Sequence, residues 1–244
     1  MSMPQIATHE QWQEARRQLL AREKEHTRLG DELARERRRL PWVAVEKEYT
    51  FDTADGPRTL AELFAGRSQL VVYSFMFGPD YEAGCPVCSS IADSFDGVLA
   101  QLRGRDVEMI CVSRAPIEKL LAYRERMGWG FNWASSHGSD FNYDFERTRS
   151  REDAPDWSAG APEVVTQFAA ACGTDPVGYV SERPGLTVFA LREGDVHMTY
   201  STGARGLEPV MTYYRILDLV PRGREGETAD PGWIRRHDEF ELAR

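Results

Sequence analysis

Two cysteines three positions apart, Cys85 and Cys88, are the residues of this 244-residue chain whose types and spacing could do chemistry. They lie in the stretch FMFGPDYEAGCPVCSSIADSFDG, residues 75–97. A dithiol at this spacing can exchange with disulfides or react with peroxides, because a thiolate is a strong nucleophile. It can also be half of a zinc site, or it can have no function at all. The surrounding sequence is needed to choose among these alternatives.

The sequence on either side of the pair favours a redox dithiol. Residues 70–77 (LVVYSFMF) are almost wholly apolar, which predicts a central strand buried on both faces. Residues 88–103 carry apolar side chains at helical spacing. Cys85 is then placed where a loop meets the N-terminus of a helix. Unpaired N–H groups at that position stabilise a thiolate.

The predicted roles follow from the order of the residues along this helix. Pro86 suits the first helical position, where its missing N–H would have had no partner, and it is a candidate for shaping the site. We predict that Cys85 is the attacking nucleophile. Cys88 is expected to lie one turn further in, to be less exposed, and to act as the resolving thiol.

A structural zinc site needs four ligands, and the sequence offers one close pair. The other two cysteines, Cys111 and Cys172, are isolated, and Cys111 falls in the apolar run VEMICV, where an inert buried thiol is usual. No second C-x-x-C and no H-x-x-x-H occurs in the chain. We therefore expect no metal and no other cofactor.

A further candidate is His197, which falls on the predicted strand 196–200. A histidine close to a thiol can lower the thiol pKa or carry protons. The alternative is a structural histidine that makes ordinary hydrogen bonds, and the sequence leaves both open.

Composition and charge narrow the compartment and the partners. The formal charge of −9 disfavours nonspecific binding to nucleic acid, which relies on basic surface. No apolar run has the length of a signal peptide or of a membrane span. We therefore expect a cytoplasmic protein, with neither nucleic acid nor membrane as a partner. In a reducing cytoplasm, a close cysteine pair is more often catalytic, redox-sensing or metal-binding than structural.

The pattern along the chain predicts three regions. Residues 1–40 are highly charged and predict an N-terminal helical extension, broken or bent near Gly30 and Asp31, through which the chain could form a homo-oligomer. Residues 41–221 alternate strands and helices and end in a hairpin and a helix. They predict an α/β domain with a mixed central sheet and helices on both faces. Residues 222–244 are a polar, less ordered C-terminal tail, with Trp233 and Phe240 as its anchors.

One long segment, residues 128–160, is rich in glycine, serine and aromatic residues and shows little period. Aromatic residues can stack nucleic-acid bases, but such platforms need basic neighbours, and here Asp140 and Asp144 intervene. We predict a packed loop beside the cysteine pair that limits access to Cys85.

Long stretches of the chain resemble the thioredoxin-like bacterial proteins of the domain of unknown function 899 family. They include LPWVAVEKEYTFDTADGPRTLAELF, the cysteine stretch, WASSHGSDFNYDF and TVFALREGDVHMTYSTGARGLE. The resemblance spans roughly residues 8–240. It implies a thioredoxin-like three-layer sandwich of the peroxiredoxin-like branch. Members are described as dithiol-disulfide isomerases on the strength of their fold, and fold alone does not establish function.

The resemblance carries over to Cys85, Cys88 and Pro184. In a thioredoxin-like sheet, a cis-proline before the third core strand faces the cysteine pair and shapes the substrate groove. Pro184 immediately precedes the predicted strand 185–191 and fits this role. The alternative is an ordinary proline at the start of a strand. The Cys-Pro-Val-Cys pair resembles that of glutaredoxin-like and oxidising thiol proteins rather than the Cys-Gly-Pro-Cys of thioredoxin.

Three functions remain open. The first is a thiol–disulfide oxidoreductase that acts on a protein or small-molecule thiol or disulfide through Cys85 and Cys88. The second is a thiol peroxidase that uses Cys85. Peroxiredoxins carry a threonine three residues before the reactive cysteine, and this chain has Glu82 there. The third is a non-enzymatic redox sensor or partner-binding protein.

Overall fold

The computed structural model describes residues 6–155, 157, 160–224 and 232–240. Contacts divide the chain into two units, Met1–Pro41 and Trp42–Arg244. In the first unit, helix α1 (His9–Arg37) begins at Thr8, whose hydroxyl accepts a hydrogen bond from the Gln11 amide while the Gln11 side chain accepts one from the Thr8 amide. The helix is continuous through residues 30 and 31, so the predicted break is wrong. A single glycine costs a helix only about 1 kcal/mol, which well-formed neighbouring turns offset.

The second unit is built on one eight-stranded sheet. Its strands are β1 (Val43–Ala44), β2 (Thr50–Thr53), β3 (Gly56–Thr59), β4 (Gln69–Ser74), β5 (Val107–Ser113), β6 (Trp133–Ser135), β7 (Gly185–Arg192) and β8 (Asp195–Gly203). Their order is β1-β8-β7-β4-β5-β6-β2-β3. The pairs β4–β5 and β5–β6 are parallel, and the other pairs are antiparallel. The sheet is therefore mixed, as predicted.

Short helices connect these strands. They are α2 (Pro86–Ala92), α3 (Leu99–Arg103), α4 (Ile117–Arg126), α5 (Phe141–Asp144), α6 (Glu163–Cys172), α7 (Pro176–Ser181) and α8 (Thr212–Leu217), with 3-10 helices at Glu62–Phe64, Ala204–Val210 and His237–Glu239. The helix predicted over 88–103 is two helices, because the turns around Gly97 interrupt it. The segment 128–160, predicted as a loop, holds β6 and α5.

The inner four strands form the thioredoxin-like core. Parallel strands β4 and β5 are joined through α2 and α3, and the antiparallel hairpin β7–β8 adds to the free side of β4, which gives the order β8-β7-β4-β5. This arrangement confirms the predicted fold class. It places the loop after β4, which carries the cysteines, at the centre of one end of the sheet.

Side chains alternate across the sheet and build two separate cores. Along β4, Tyr73 belongs to a large cluster that takes in residues of α2, α3, α4 and α6, while Leu70 and Val72 belong to a smaller one. The smaller cluster includes Phe64 of the first 3-10 helix and Phe141 of α5. Both faces are covered, but the longer helices pack on the cysteine-bearing face.

The C-terminal segment 232–240 packs on the second unit instead of extending as a tail. Ile234 and Arg236 are only 1% and 3% exposed, whereas Trp233 and Phe240, the predicted anchors, are 41% and 48% exposed. Ile234 and Arg236 hold the segment in closed sites. Trp233 also anchors it, as predicted, because its ring packs on Tyr213 and Tyr214 of α8 although it remains partly exposed.

Within the described residues, none of the helices is both long enough and apolar enough to cross a membrane. A cytoplasmic location and a homo-oligomer formed through α1 remain predictions.

We predict that Ile234→Ala lowers the free energy of unfolding by about 2–5 kcal/mol, since it empties a buried site. Phe240→Ala, in the same segment but half exposed, is the matched control and should change it by about 1 kcal/mol or less. Urea unfolding followed by circular dichroism measures both. Equal small losses in the two variants would show that the segment does not contribute to the core.

Candidate functional site

The chain positions Cys85 at the start of α2 through its backbone. Strand β4 ends at Ser74, and residues 75–84 form a loop that is closed where the Cys85 amide donates to the Met76 carbonyl at 3.1 Å. The Cys85 carbonyl accepts from both the amide and the hydroxyl of Ser89, each at 2.9 Å. Pro86 is the first helical residue, as predicted. Cys85 is therefore held on both sides of its own peptide.

Both thiols of the pair are fully buried, at 0% exposure, and both are free. The prediction that Cys88 is less exposed than Cys85 is wrong. The reason is that α6 and α7 pack against the pair: Phe168 of α6 and Tyr179 of α7 join Cys85, Cys88 and other residues in one buried cluster. Helical position alone could not reveal this cover.

Tyr179 is a site residue that the sequence analysis missed. Its hydroxyl lies 3.3 Å from the sulfur of Cys85. Its ring stacks on Tyr81 on one side and on Phe168 on the other, with ring centroids 6.5 and 6.1 Å away. Helix α7, which carries it, begins at Asp175, whose side chain accepts from the Gly178 amide at 2.9 Å. The Asp-Pro start of α7 is a recognisable helix signal, but it does not reveal that the helix reaches Cys85.

Cys172 is the second residue that was missed, since it was interpreted as isolated. It is the last residue of α6 and is fully buried. Its carbonyl accepts from the amides of Glu82 and Ala83 at 2.8 and 3.3 Å, which joins the end of α6 to the loop before Cys85. Its thiol belongs to the same buried cluster as those of Cys85 and Cys88. The fold therefore brings three cysteines together.

Arg236 fixes this arrangement from the far end of the chain. One terminal nitrogen of its guanidinium donates to the carbonyls of Gly84 and Ala171, both at 2.7 Å. Its Nε donates to the Tyr123 hydroxyl at 2.8 Å. Gly84 and Ala171 are the residues immediately before Cys85 and Cys172. A single buried cation thus ties together the two backbones that carry these two thiols.

These surroundings separate the acidities of the three thiols. Burial raises the pKa of Cys85, but hydrogen bonds from Cys172, Cys88 and Tyr179, together with the Cys88 amide, outweigh burial and hold that pKa well below its ordinary value. Burial and the bond to Cys85 raise the pKa of Cys88. The bond to Cys85, followed by burial, raises the pKa of Cys172. Cys85 is therefore the most acidic of the three thiols.

Pro184 and Val87 line one surface cavity. Val87 is the residue between Pro86 and Cys88, and the cavity, of about 920 Å³, is otherwise bounded by Ile91 and by residues of the 3-10 helix 204–210 and of α8. The peptide bond before Pro184 is trans, so the cis-proline considered for this position is not found.

His197 is not brought to the cysteines. On β8 it pairs with Ala190 of β7, and Ala190 pairs with Gln69 at the beginning of β4, while the cysteine loop leaves the other end of β4. Its Nδ1 lies 3.2 Å from the Asp195 carbonyl, and its ring lies against Trp42. Of the two roles that the sequence left open for His197, this position favours the structural histidine, because the strand register places it away from the cysteine loop.

Within the part of the chain that the structure describes, no group of three or more histidine, cysteine or acidic side chains is arranged to hold a metal ion.

We predict that Tyr179→Phe raises the pKa of Cys85 by about one to two pH units, because a hydrogen bond to a charged group contributes about 1.5–3 kcal/mol. Thiolate ultraviolet absorbance against pH measures the change. Tyr213→Phe is the matched control, because the Tyr213 hydroxyl lies 3.0 Å from the hydroxyl of Ser90 on α2, the helix that carries Cys88, and not next to a sulfur. An unchanged profile in Tyr179→Phe would remove this tyrosine from the site.

Comparison with known proteins agrees with the resemblance seen in the sequence. Among solved structures, the chain is similar to a PrxQ mutant from Xylella fastidiosa (TM-score 0.45, 11% identity, 69% of this chain and 88% of that one). It is also similar to the peroxidoxin BcpB from Mycobacterium tuberculosis (TM-score 0.44, 13% identity, 72% and 96%). No curated protein sequence matches it. The family described as "Bacterial protein of unknown function (DUF899)" matches residues 1–240, and the chain belongs to that family.

Proposed function

We propose that the chain is a thiol–disulfide oxidoreductase in which Cys85 is the nucleophile and Cys88 the resolving thiol. One observation carries the proposal: the Cys85 sulfur, at the start of α2, lies 3.3 Å from the Tyr179 hydroxyl in an otherwise apolar, buried site. A hydroxyl that donates to the sulfur favours the anion, which is the form that attacks a disulfide. Cys88, one turn along the same helix, keeps its proton until it is needed.

The reaction has two steps. The Cys85 thiolate attacks a substrate disulfide RSSR, forming a mixed disulfide and releasing RS⁻. Cys88 then loses its proton to that thiolate, attacks the Cys85 sulfur and releases the second RS⁻. In total, Cys85–S⁻, Cys88–SH and RSSR become the Cys85–Cys88 disulfide, RSH and RS⁻. The substrate is reduced by two electrons, and the reverse sequence oxidises a dithiol.

The cavity bounded by Val87 and Pro184 is the proposed substrate groove. It adjoins the cysteine pair through Val87, and its walls carry both apolar and charged side chains: Leu207, Met211, Arg205, Glu208, Arg215 and Asp218. An extended peptide next to a thiol could use both kinds of contact. This gives Pro184 a role in substrate binding that does not depend on a cis bond.

Thiol peroxidase is the second candidate, and the complete burial of Cys85 favours it. A peroxide is small enough to need little opening of the site, whereas a protein disulfide needs more. The Cys85 thiolate would displace RO⁻ from ROOH and become a sulfenic acid, and Cys88 would then form the disulfide with release of water. Glu82 at the position of the peroxiredoxin threonine counts against this reaction.

We predict that the reduced protein equilibrates with glutathione buffers to form a Cys85–Cys88 disulfide, with a reduction potential between about −270 and −120 mV. Cys85→Ser abolishes oxidation of the pair, and Cys88→Ser preserves the first attack. Cys111→Ser, which alters a buried thiol of β5, is the matched control and changes nothing. Mass spectrometry after acid quenching and alkylation follows each form.

Peroxide consumption by the same reduced proteins separates the two enzymes. If the protein consumes peroxide rapidly through Cys85 and exchanges slowly with glutathione, the result would contradict the oxidoreductase proposal and support the peroxidase. If neither reaction occurs and Cys85 titrates like a free thiol, both enzyme functions fail and the non-enzymatic alternative stands.

A further inference from the structure

We propose that Cys172 is a third redox residue of this site and replaces Cys88 as the disulfide partner of Cys85 by thiol–disulfide exchange. The inference rests on the proposed function, because it requires Cys85 to form disulfides. It adds to that function a second internal disulfide, formed between α2 and α6 instead of within α2.

The backbones that carry Cys85 and Cys172 are joined independently of the sulfur atoms. The Cys172 carbonyl binds the amides of Glu82 and Ala83 in the loop before Cys85. The Arg236 guanidinium binds the carbonyls of Gly84 and Ala171, one residue before each thiol. Two separate bridges therefore hold the backbones of Cys85 and Cys172 beside each other.

The three side chains lie together in the interior. Cys85, Cys88 and Cys172 are all fully buried and belong to one cluster. A disulfide requires β-carbons about 3.5–4.5 Å apart. Because the two bridges hold the Cys172 backbone beside the Cys85 loop inside this cluster, Cys172 as well as Cys88 can reach the Cys85 sulfur.

The exchange needs no outside reagent. In the oxidised protein, Cys172 gives up its proton, and its thiolate attacks the Cys85 sulfur of the Cys85–Cys88 disulfide. The bond from Cys85 to Cys88 breaks, the bond from Cys85 to Cys172 forms, and Cys88 leaves as a thiolate that takes up the proton. One disulfide is present before and after, so no electrons are gained or lost. Cys172 resolves a mixed disulfide on Cys85 by the same attack.

The tryptic map of the chain distinguishes the two disulfides directly. Cys85 and Cys88 share the peptide 68–103, whereas Cys172 lies on the peptide 152–192, because trypsin does not cleave between Arg183 and Pro184. A Cys85–Cys88 disulfide stays inside one peptide. A Cys85–Cys172 disulfide joins the two.

The experiment oxidises full-length wild-type protein, Cys88→Ser, Cys172→Ser and the double variant Cys88→Ser/Cys172→Ser with oxidised glutathione. Acid quenching, alkylation and peptide mass spectrometry follow, with Cys111→Ser as control and circular dichroism to confirm folding. We expect the joined peptides to be the main product in Cys88→Ser. The glutathione adduct on Cys85 should persist at least about tenfold longer in the double variant, because a resolving thiol held beside Cys85 has a high effective concentration.

The outcomes separate this inference from the proposed function. Oxidation of the Cys85–Cys88 pair in the wild type, with only a glutathione adduct and alkylated Cys172 in folded Cys88→Ser, overturns the role of Cys172 alone. No oxidation of Cys85 in any variant overturns the proposed function. Equal adduct lifetimes in Cys88→Ser and the double variant also overturn the inference, even if some joined peptide is seen.

Discussion

The structure of the site depends on one constraint, which is the cost of keeping a thiolate on a sulfur with no solvent contact. Removing an anion from water is expensive unless donors replace its hydration. Around Cys85 the replacements are neutral donors: two thiols and a phenol. They arrive from different parts of the chain, with Cys88 on α2, Cys172 on α6 and Tyr179 on α7. The low pKa of Cys85 therefore depends on the packing of these helices.

The C-terminal segment takes part in that packing. Arg236 is buried, and its guanidinium donates to two backbone carbonyls, to the Tyr123 hydroxyl and to the Glu239 carboxylate. Its role is therefore to position the backbone around Cys85 and not to pair with the Cys85 sulfur. Burial lowers the pKa of Arg236, but the neighbouring Tyr123 and Glu239 side chains outweigh burial and raise that pKa above its ordinary value. Residues 232–240 thus help to hold the backbone of the site in place, although they lie far from the cysteine pair in sequence.

Local patterns in the sequence predicted the parts of this fold that local physics controls. The apolar run before the cysteines contains most of the buried strand β4, and Pro86 begins α2. The convergence of Cys172, Tyr179 and Arg236 on Cys85 was not predictable, because it depends on how α6, α7 and the C-terminal segment fold back over the sheet. The position of His197 was not predictable either, because the register of β8 places it at the end of the sheet opposite to the cysteine loop.

Access to Cys85 and activation of Cys85 oppose one another in this arrangement. Tyr179 is both part of the stacked layer over the thiols and a donor to the thiolate. A large disulfide substrate that displaces Tyr179 removes a hydrogen bond that holds down the pKa of Cys85, and it admits water that can replace the lost donor only in part. A small oxidant that enters without moving Tyr179 leaves this hydrogen bond, and with it the low pKa of Cys85, intact. In the proposed reaction, substrate size therefore affects the chemistry itself: a protein substrate would have to supply, through contacts in the proposed Val87–Pro184 groove, the free energy needed to displace Tyr179.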